Sequence, residues 1–109
     1  MTARAEWNGV LLAESDETII VEGNHYFPPA AVNRQYFAES ATHTLCSWKG
    51  QASYLSVEAG GSTNLDAAWY YPDPYDAAAA IKDYIAFWRG VEVSAAEGDG
   101  IAGPEPPPR

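Results

Sequence analysis

Hydrophobic residues form two short runs near the start of the chain. These runs, residues 6–13 and 17–22, flank a polar and turn-prone tripeptide, Glu-Ser-Asp, at residues 14–16. Apolar runs of this length, bounded by turn residues, are typical of β-strands. The pattern therefore predicts two strands joined as a hairpin, with residues 23–24 (Gly-Asn) ending the second strand.

A second strand pair is predicted in the middle of the chain. Residues 42–48 alternate, so Cys46 lies on one predicted strand face and His43 on the other. Residues 49–50 (Lys-Gly) are the expected turn, and residues 51–58 resume as a strand. We therefore expect an antiparallel pair in which Cys46 and His43 point apart.

Two further strands follow from local composition. Residues 60–62 (Gly-Gly-Ser) indicate a loop. The aromatic run at residues 67–71 predicts a short strand that Pro72 ends. Residues 91–93 (Val-Glu-Val) are expected to form the last strand.

Helical periodicity is clearest over residues 74–88. Asp73 stands at the expected N-cap, Pro74 at the first helical position and Gly90 just beyond the end. The apolar positions recur at three- and four-residue spacing, which favours one buried helix face. They are Ala77, Ile81, Tyr84, Ile85 and Trp88. A shorter helix is expected over residues 29–37, since Pro29 suits a helix start.

These elements predict an α+β domain that is mainly β. We expect five or six strands in a curled antiparallel sheet or small barrel, with one or two short helices. The domain is expected to span residues 1–94. Residues 95–109 hold four of the eight prolines and no aromatic residue. Such a segment buries too little apolar surface to fold, so we expect a flexible tail.

Composition narrows the classes of function. The chain has 109 residues and a net charge of -9, from 15 acidic and 6 basic residues. This charge argues against nucleic-acid binding, which needs a basic surface. No apolar run approaches the length of a membrane span, and no secretory signal is recognisable, so we expect no membrane partner and a cytoplasmic location.

The residues that carry reactive chemistry are few. The lone cysteine, Cys46, is expected to be a small buried residue unless a nearby cation activates it as a nucleophile. Lys49 is either a solvated turn lysine or a group that contacts a ligand, and Glu22 is a strand-end carboxylate that matters only if the fold brings Lys49 or Cys46 to it. Two histidines and one cysteine provide no metal-ligand spacing, so neither a metal site nor a cofactor is predicted.

Aromatic residues account for 13% of the chain and cluster at residues 26–27 and 69–71. Aromatic side chains more often fill a core than line a pocket. A strand with three consecutive rings must nevertheless send rings to both of its faces. One set fills the core, and the other is covered by another segment or lines a cavity.

Four segments together resemble the family of domains of unknown function numbered 427, a mainly bacterial group that is sometimes labelled nucleotidyltransferase-like. The segments are EGNHYFPPAAVN (22–33), THTLCSWKGQASYLSV (42–57), AAWYYPDP (67–74) and IKDYIAFWRGVEV (81–93). The resemblance implies a small β-rich single domain and no established reaction. The transferase label is not supported, because Gly61-Ser62 and Asp66 lack the second carboxylate that would complete a magnesium site.

Three functions compete. The first is binding of a small molecule in an aromatic-lined pocket, with walls from Tyr26, Tyr54, Trp69 and Tyr71 and with Glu22 and Lys49 orienting the ligand. The second is an enzyme that uses Cys46 or Lys49 as nucleophile and Glu22 as base. The third is a homodimeric interaction module that buries surface tryptophans, for which the candidates are Trp7, Trp48 and Trp88.

Overall fold

A computed structural model of the protein describes residues 2–95. These residues form mainly β structure. The strands are β1 (Ala3–Trp7), β2 (Val10–Ser15), β3 (Ile19–Val21), β4 (Asn24–Tyr26), β5 (Phe37–Cys46), β6 (Gly50–Ala59), β7 (Ser62–Tyr70), β8 (Ile85–Phe87) and β9 (Glu92–Ala95). Three 3-10 segments join them, at Pro29–Ala31, Arg34–Tyr36 and Asp76–Ile81.

The strands pair antiparallel in three sheets. The strand orders are β2-β1-β9, β3-β4 and β5-β6-β7-β8. The prediction of a mainly β fold is therefore confirmed. Among residues 2–95 these sheets do not join into one closed barrel, so the expected curled sheet or small barrel is not confirmed.

The first hairpin turns earlier than the apolar pattern predicts. The expected strand over residues 6–13 is interrupted at Asn8 and Gly9, whose φ angles are 53° and 77°. Positive φ at both central residues defines the tight hairpin turn that Asn-Gly favours, because its twist matches that of paired strands. The prediction of one continuous strand was wrong because the Asn-Gly pair outweighs the apolar run around it.

The second predicted strand is shorter than expected and pairs with the residues that follow it. A turn at Glu22 and Gly23, with φ angles of 55° and 82°, joins β3 to β4. The prediction that residues 23–24 end this strand is right for Gly23, but Asn24 starts β4. The turn places the Glu22 side chain at the tip of a small hairpin.

The strand pair in the middle of the chain is confirmed, but its first strand begins before residue 42 and ends at Cys46, so the turn predicted at residues 49–50 lies at residues 47–49. β5 and β6 pair with Cys46 opposite Gly50, and Ser47, Trp48 and Lys49 form the turn. Cys46 is buried, whereas His43 is exposed on the other face, as the alternation predicts. Of the strand predicted over residues 67–71, residues 67–70 form the end of β7, and Tyr71 lies just beyond it in an isolated bridge with Lys82.

The helix predicted over residues 74–88 does not form. The chain makes a short 3-10 segment over Asp76–Ile81, turns at Asp83 with φ 64°, and continues as β8. Asp73 does not cap the segment, which begins after Tyr75 without a side-chain capping bond. The apolar spacing suggested one buried helix face, but Ile81 and Ile85 are buried in two different clusters of core residues.

Hydrogen bonds on both sides of β8 explain why it is a strand. One side pairs with β7, with Phe87 opposite Ala68. On the other side, Phe27 N–H donates to Ile85 O at 2.8 Å, and Ile85 N–H donates to Phe27 O at 2.9 Å. These partners are distant in sequence, so local periodicity carries no information about them.

The short helix expected over residues 29–37 is replaced by two 3-10 turns with extended backbone between them. Val32 adopts φ -100° and ψ 146°, and the next residue, Asn33, donates its backbone N–H to Leu12 O at 2.8 Å. The Asn33 side chain donates to Leu11 O at 2.9 Å. Contacts to β2 therefore hold this segment extended where a helix would continue.

Two clusters of buried residues lie on different faces of the sheets. The larger cluster is aliphatic and phenylalanine-rich, and it includes Leu12, Phe27, Val57 and Phe87. We call the smaller one the aromatic cluster. Its members are Tyr26, Cys46, Ala52, Tyr54, Trp69, Tyr71, Ala78, Ile81 and Ala86.

Ala95, the first residue of the expected tail, pairs with Ala3 in β9. The rest of that tail prediction lies outside the described residues. In the part of the chain that the structure describes, no helix has the length and apolar content needed to cross a membrane.

The first turn provides a test of the fold. Asn8 has positive φ, and its side-chain amide donates to Ala59 O at 3.1 Å. We expect Asn8→Ala to lower the free energy of unfolding by about 2 kcal/mol, because a Cβ-bearing residue without a polar side chain is strained in this conformation and the hydrogen bond is lost. Chemical denaturation measures the loss.

Asn8→Gly is the matched control. Glycine adopts positive φ freely, so it loses the hydrogen bond without the strain. Asn8→Gly should therefore be more stable than Asn8→Ala by about 1 kcal/mol. Equal stabilities of the two variants would contradict the assignment of this turn.

Candidate functional site

The fold brings together the residues that the sequence singles out. Five of them, Tyr26, Cys46, Tyr54, Trp69 and Tyr71, belong to the aromatic cluster. The other two, Glu22 and Lys49, form an ion pair at the edge of that cluster. Their role in binding a ligand stays a prediction.

Lys49 is the most deeply buried charged residue of this group. Its side chain is 0% exposed, and it is not the solvated turn lysine that burial statistics favour. The Nζ atom contacts Glu22 Oε1 and lies 5.2 Å from the centre of the Trp48 ring and 5.5 Å from that of Tyr71. A carboxylate and two ring faces therefore surround the ammonium group.

The backbone around Lys49 explains how a turn residue becomes buried. Gly50 adopts φ 110°, and a Cβ atom there would lie 3.4 Å from backbone atoms of Asp73, Pro74 and Tyr75. Tyr75 N–H donates to Lys49 O at 3.0 Å. The chain at residues 73–75 thus covers the backbone of the β5–β6 turn.

Glu22 approaches Lys49 from the tip of the β3–β4 hairpin. Its side chain is 41% exposed, so the carboxylate reaches both the buried ammonium group and water. Its second oxygen, Oε2, accepts a long hydrogen bond of 3.4 Å from Trp48 Nε1. One carboxylate therefore bridges two donors that come from the same turn.

The charge balance of this pair is unequal. An ammonium group removed from water loses several kcal/mol of hydration, and a counter-ion must offset that cost. Glu22 loses less hydration because it stays half exposed. Lys49 therefore depends on Glu22 for its stability in the folded protein far more than Glu22 depends on Lys49.

The rings of Tyr26, Trp69 and Tyr71, next to the ion pair, are packed together and buried. Trp69 Nε1 donates to the Tyr26 hydroxyl at 3.2 Å, and the two rings meet edge to face at 6.1 Å. Burial raises the pKa of Tyr26 to about 12. Burial also raises the pKa of Tyr71, and the nearby Tyr26 adds to this shift.

The Tyr71 hydroxyl stands out among these polar atoms. It is buried and, within the described residues, makes no hydrogen bond of normal geometry, although it lies near enough to Tyr26 to affect the pKa of that group. Buried hydroxyl groups usually have a partner, because losing one costs about 1–3 kcal/mol. This hydroxyl has unused capacity beside the Lys49 side chain.

Cys46 has the surroundings of a structural cysteine. It is 2% exposed, and its neighbours in the aromatic cluster are phenol and indole rings. His43 points to the other face of β5, where its Nδ1 lies 3.2 Å from Ser53 Oγ. His25 is paired with Thr18 at 2.7 Å, and burial lowers its pKa. No Cys–His pair is seen among residues 2–95.

Sequence reasoning missed the part that Trp48 plays. It treated Trp48 as a surface ring for a partner, yet Trp48 donates to Glu22 and covers Lys49. Its position next to Lys49 in a predicted turn was the available clue. Of the three tryptophans considered for a dimer surface, Trp48 is 39% exposed, whereas Trp7 and Trp88 pack against the cores.

Other chemistry at the site is limited by the residues present. Among residues 2–95, no group of three or more histidine, cysteine, aspartate or glutamate side chains is arranged to hold a metal ion. Asp66, which has φ 55°, accepts a hydrogen bond from the Thr42 hydroxyl at 2.8 Å. Its carboxylate therefore has a structural partner on strand β5.

A comparison with protein families gives a match over all of the described residues. The sequence model of the family described as "Domain of unknown function (DUF427)" matches residues 1–97. No curated protein matches the chain.

The unequal ion pair generates a prediction for stability. Glu22→Gln leaves the buried Lys49 ammonium group without a counter-charge, so we expect a loss of about 2 kcal/mol in the free energy of unfolding. Adding Lys49→Met removes the buried charge, and the double variant should recover at least half of that loss. Denaturant unfolding of the three proteins measures both effects.

The exposed pair Lys82–Asp83 is the matched control. Its atoms are 3.1 Å apart, and both side chains are largely in water. Asp83→Asn keeps a residue that tolerates positive φ and should cost less than about 0.5 kcal/mol. The account of Lys49 would be wrong if Glu22→Gln cost no more than Asp83→Asn.

Proposed function

We propose that this chain, which belongs to the DUF427 family, binds a small molecule through the Lys49 ammonium group, in a site that Glu22 occupies when no ligand is present. The ligand carries a carboxylate or phosphate head and an apolar or aromatic body. The observation that supports this most is a fully buried ammonium group whose counter-ion is a half-exposed carboxylate on a hairpin tip.

Glu22 indicates which chemical group the site accepts. Its carboxylate already bridges Lys49 Nζ and Trp48 Nε1. An external carboxylate or phosphate can make the same two contacts, since both donors suit a planar or tetrahedral anion. Tyr71, whose ring centre lies 5.5 Å from Lys49 Nζ, adds a buried hydroxyl with unused hydrogen-bonding capacity.

The exchange of the internal for the external anion is physically accessible. Glu22 lies in a two-residue turn, and its side chain is already 41% exposed. Its release into water therefore costs mainly its contacts with Lys49 and Trp48, which an external anion can replace. The turn residue has φ 55°, a conformation that carries strain for a non-glycine residue. The β3–β4 pairing is also short, with three residue pairs. Movement of this tip would uncover Lys49.

The rings of the aromatic cluster would then receive the ligand body. Tyr26, Trp69 and Tyr71 are buried in the present arrangement, so the ligand enters only with movement of Glu22 and the half-exposed Trp48. Aromatic walls with a few fixed polar groups are the usual composition of small-molecule sites.

The same contacts give less support to nucleophilic catalysis. A lysine nucleophile must be uncharged, yet Lys49 is surrounded by a carboxylate and ring faces, which are partners of a cation. Cys46 is 2% exposed and is packed within the aromatic cluster, so its thiol is closed to a substrate in this arrangement. Binding is therefore the function that we propose.

An NMR titration tests the proposal. The full chain, labelled with 15N at the tryptophan indoles, is titrated with benzoate, phenyl phosphate and the uncharged isostere benzamide. We expect the two anions to shift the Trp48 indole signal saturably, and benzamide to leave it unchanged. Glu22→Gln should bind the anions at least about tenfold more tightly, because the competing internal carboxylate is gone.

The double variant Lys49→Met/Glu22→Gln is the control, since it lacks the ammonium group and should bind neither anion. Absence of a saturable Trp48 shift in both wild type and Glu22→Gln would overturn the proposal. So would anion binding by the double variant at wild-type affinity.

A further inference from the structure

A cavity lies away from the aromatic cluster. It has a volume of about 330 Å3 and is lined by Pro29, Arg34, Tyr70, Asp83 and Ile85. Tyr70 packs against the larger aliphatic cluster, whereas its neighbour Tyr71 belongs to the aromatic cluster. The two sites thus use opposite faces at the end of β7, and this cleft does not depend on the function proposed for Lys49.

The walls of the cleft are held together by backbone hydrogen bonds. Phe27 and Ile85 exchange two such bonds, of 2.8 and 2.9 Å, which tie the segment before Pro29 to β8. Asp83 N–H donates to Tyr71 O at 3.1 Å and fixes the opposite side. The cleft is therefore built from fixed elements.

Arg34 brings an unused cation to this cleft. Among residues 2–95 its guanidinium group forms no ion pair or hydrogen bond, although the protein carries an excess of carboxylates. The other arginines of this part of the chain have partners: Arg4 pairs with Glu6 and Glu14, and Arg89 stacks on Trp88. A guanidinium fork binds a carboxylate through two parallel hydrogen bonds.

Asp83 provides the opposite charge in the same cleft. Its Oδ2 contacts Lys82 at 3.1 Å in an exposed pair of little strength, so the carboxylate can still accept from an ammonium group. An isolated anion such as phosphate would be attracted by Arg34 but repelled by Asp83. A ligand with both charges satisfies both residues, and Pro29 and Tyr70 offer apolar contact to the remainder.

We propose that the cleft between Arg34 and Asp83 binds a small zwitterion, an apolar α-amino acid whose carboxylate meets Arg34 and whose ammonium group meets Asp83. The volume lies at the lower end of the range for ligand pockets, which suits a ligand of this size. The Tyr70 ring and Pro29, both partly exposed, contact the apolar part of the ligand.

A titration of the full-length, 15N-labelled protein with L-leucine tests this assignment. We expect saturable shifts at the amides of Arg34, Tyr70, Asp83 and Ile85. Leucinamide lacks the carboxylate and 4-methylpentanoate lacks the ammonium group, so each should bind at least about tenfold more weakly.

Variants locate the contacts. Arg34→Gln should weaken leucine binding at least about tenfold, and Asp83→Asn about fivefold or more, because each removes one charged contact. Arg4→Gln is the matched control, since it makes the same charge change outside the cleft and should leave binding unchanged. Arg34 is exposed and unpaired, so its substitution should not affect folding.

Three outcomes would overturn the proposal. One is the absence of localised shifts with leucine up to about 20 mM, since a specific ligand should show a dissociation constant below that concentration. Another is equal binding of leucine and 4-methylpentanoate, which would show a simple anion site. The third is equal affinity of Arg34→Gln and Arg4→Gln.

Discussion

The Lys49 ammonium group is removed from water, and three separate parts of the chain are placed where they stabilise it. Glu22 comes from the tip of the β3–β4 hairpin, Trp48 from the same turn as Lys49, and Tyr71 from the end of β7. A buried charge without such partners would cost several kcal/mol, a large fraction of the stability of a domain of this size. The ion pair therefore ties the small β3–β4 sheet to the four-stranded sheet.

This constraint also gives the site its chemical character. The Glu22 carboxylate is half exposed, whereas the Lys49 ammonium group is closed off from water. The partner that can be replaced from solution is therefore Glu22. An anion from solution competes with Glu22 on its own side and need not displace the core. The chain has an excess of carboxylates, so its overall field repels anions. An anion can therefore bind only where a cation is protected in this manner.

Local sequence patterns could predict the parts of the fold that depend on neighbouring residues. The alternation over residues 42–58 predicted a strand pair and the opposite orientations of Cys46 and His43, both of which are confirmed. The Asn8-Gly9 turn was also a local feature, and it was missed because the apolar run around it received more weight. The helix over residues 74–88 failed for another reason. Ile85 pairs with Phe27, nearly sixty residues earlier, and no periodicity within the segment records that partner.

The candidate site could be predicted in part. The resemblance grouped Glu22, Lys49 and the tyrosines, and the fold does bring them together. The burial of Lys49 could not be foreseen, since it depends on residues 73–75 covering a turn from a distant position. The shared cleft of Arg34 and Asp83 had no local sign in the sequence, because neither residue follows a recognised motif.

Glu22 and the rings close Lys49 off from water, and the chain contains a second lysine for comparison. Lys49 and Lys82 are its two lysines, one buried and one exposed. Brief acetylation of the folded protein, followed by peptide mass spectrometry, measures the rate at each. The account predicts that Lys49 reacts at least about a hundredfold more slowly than Lys82, and that Glu22→Gln raises the Lys49 rate. Equal rates at the two lysines in the folded wild type would contradict it.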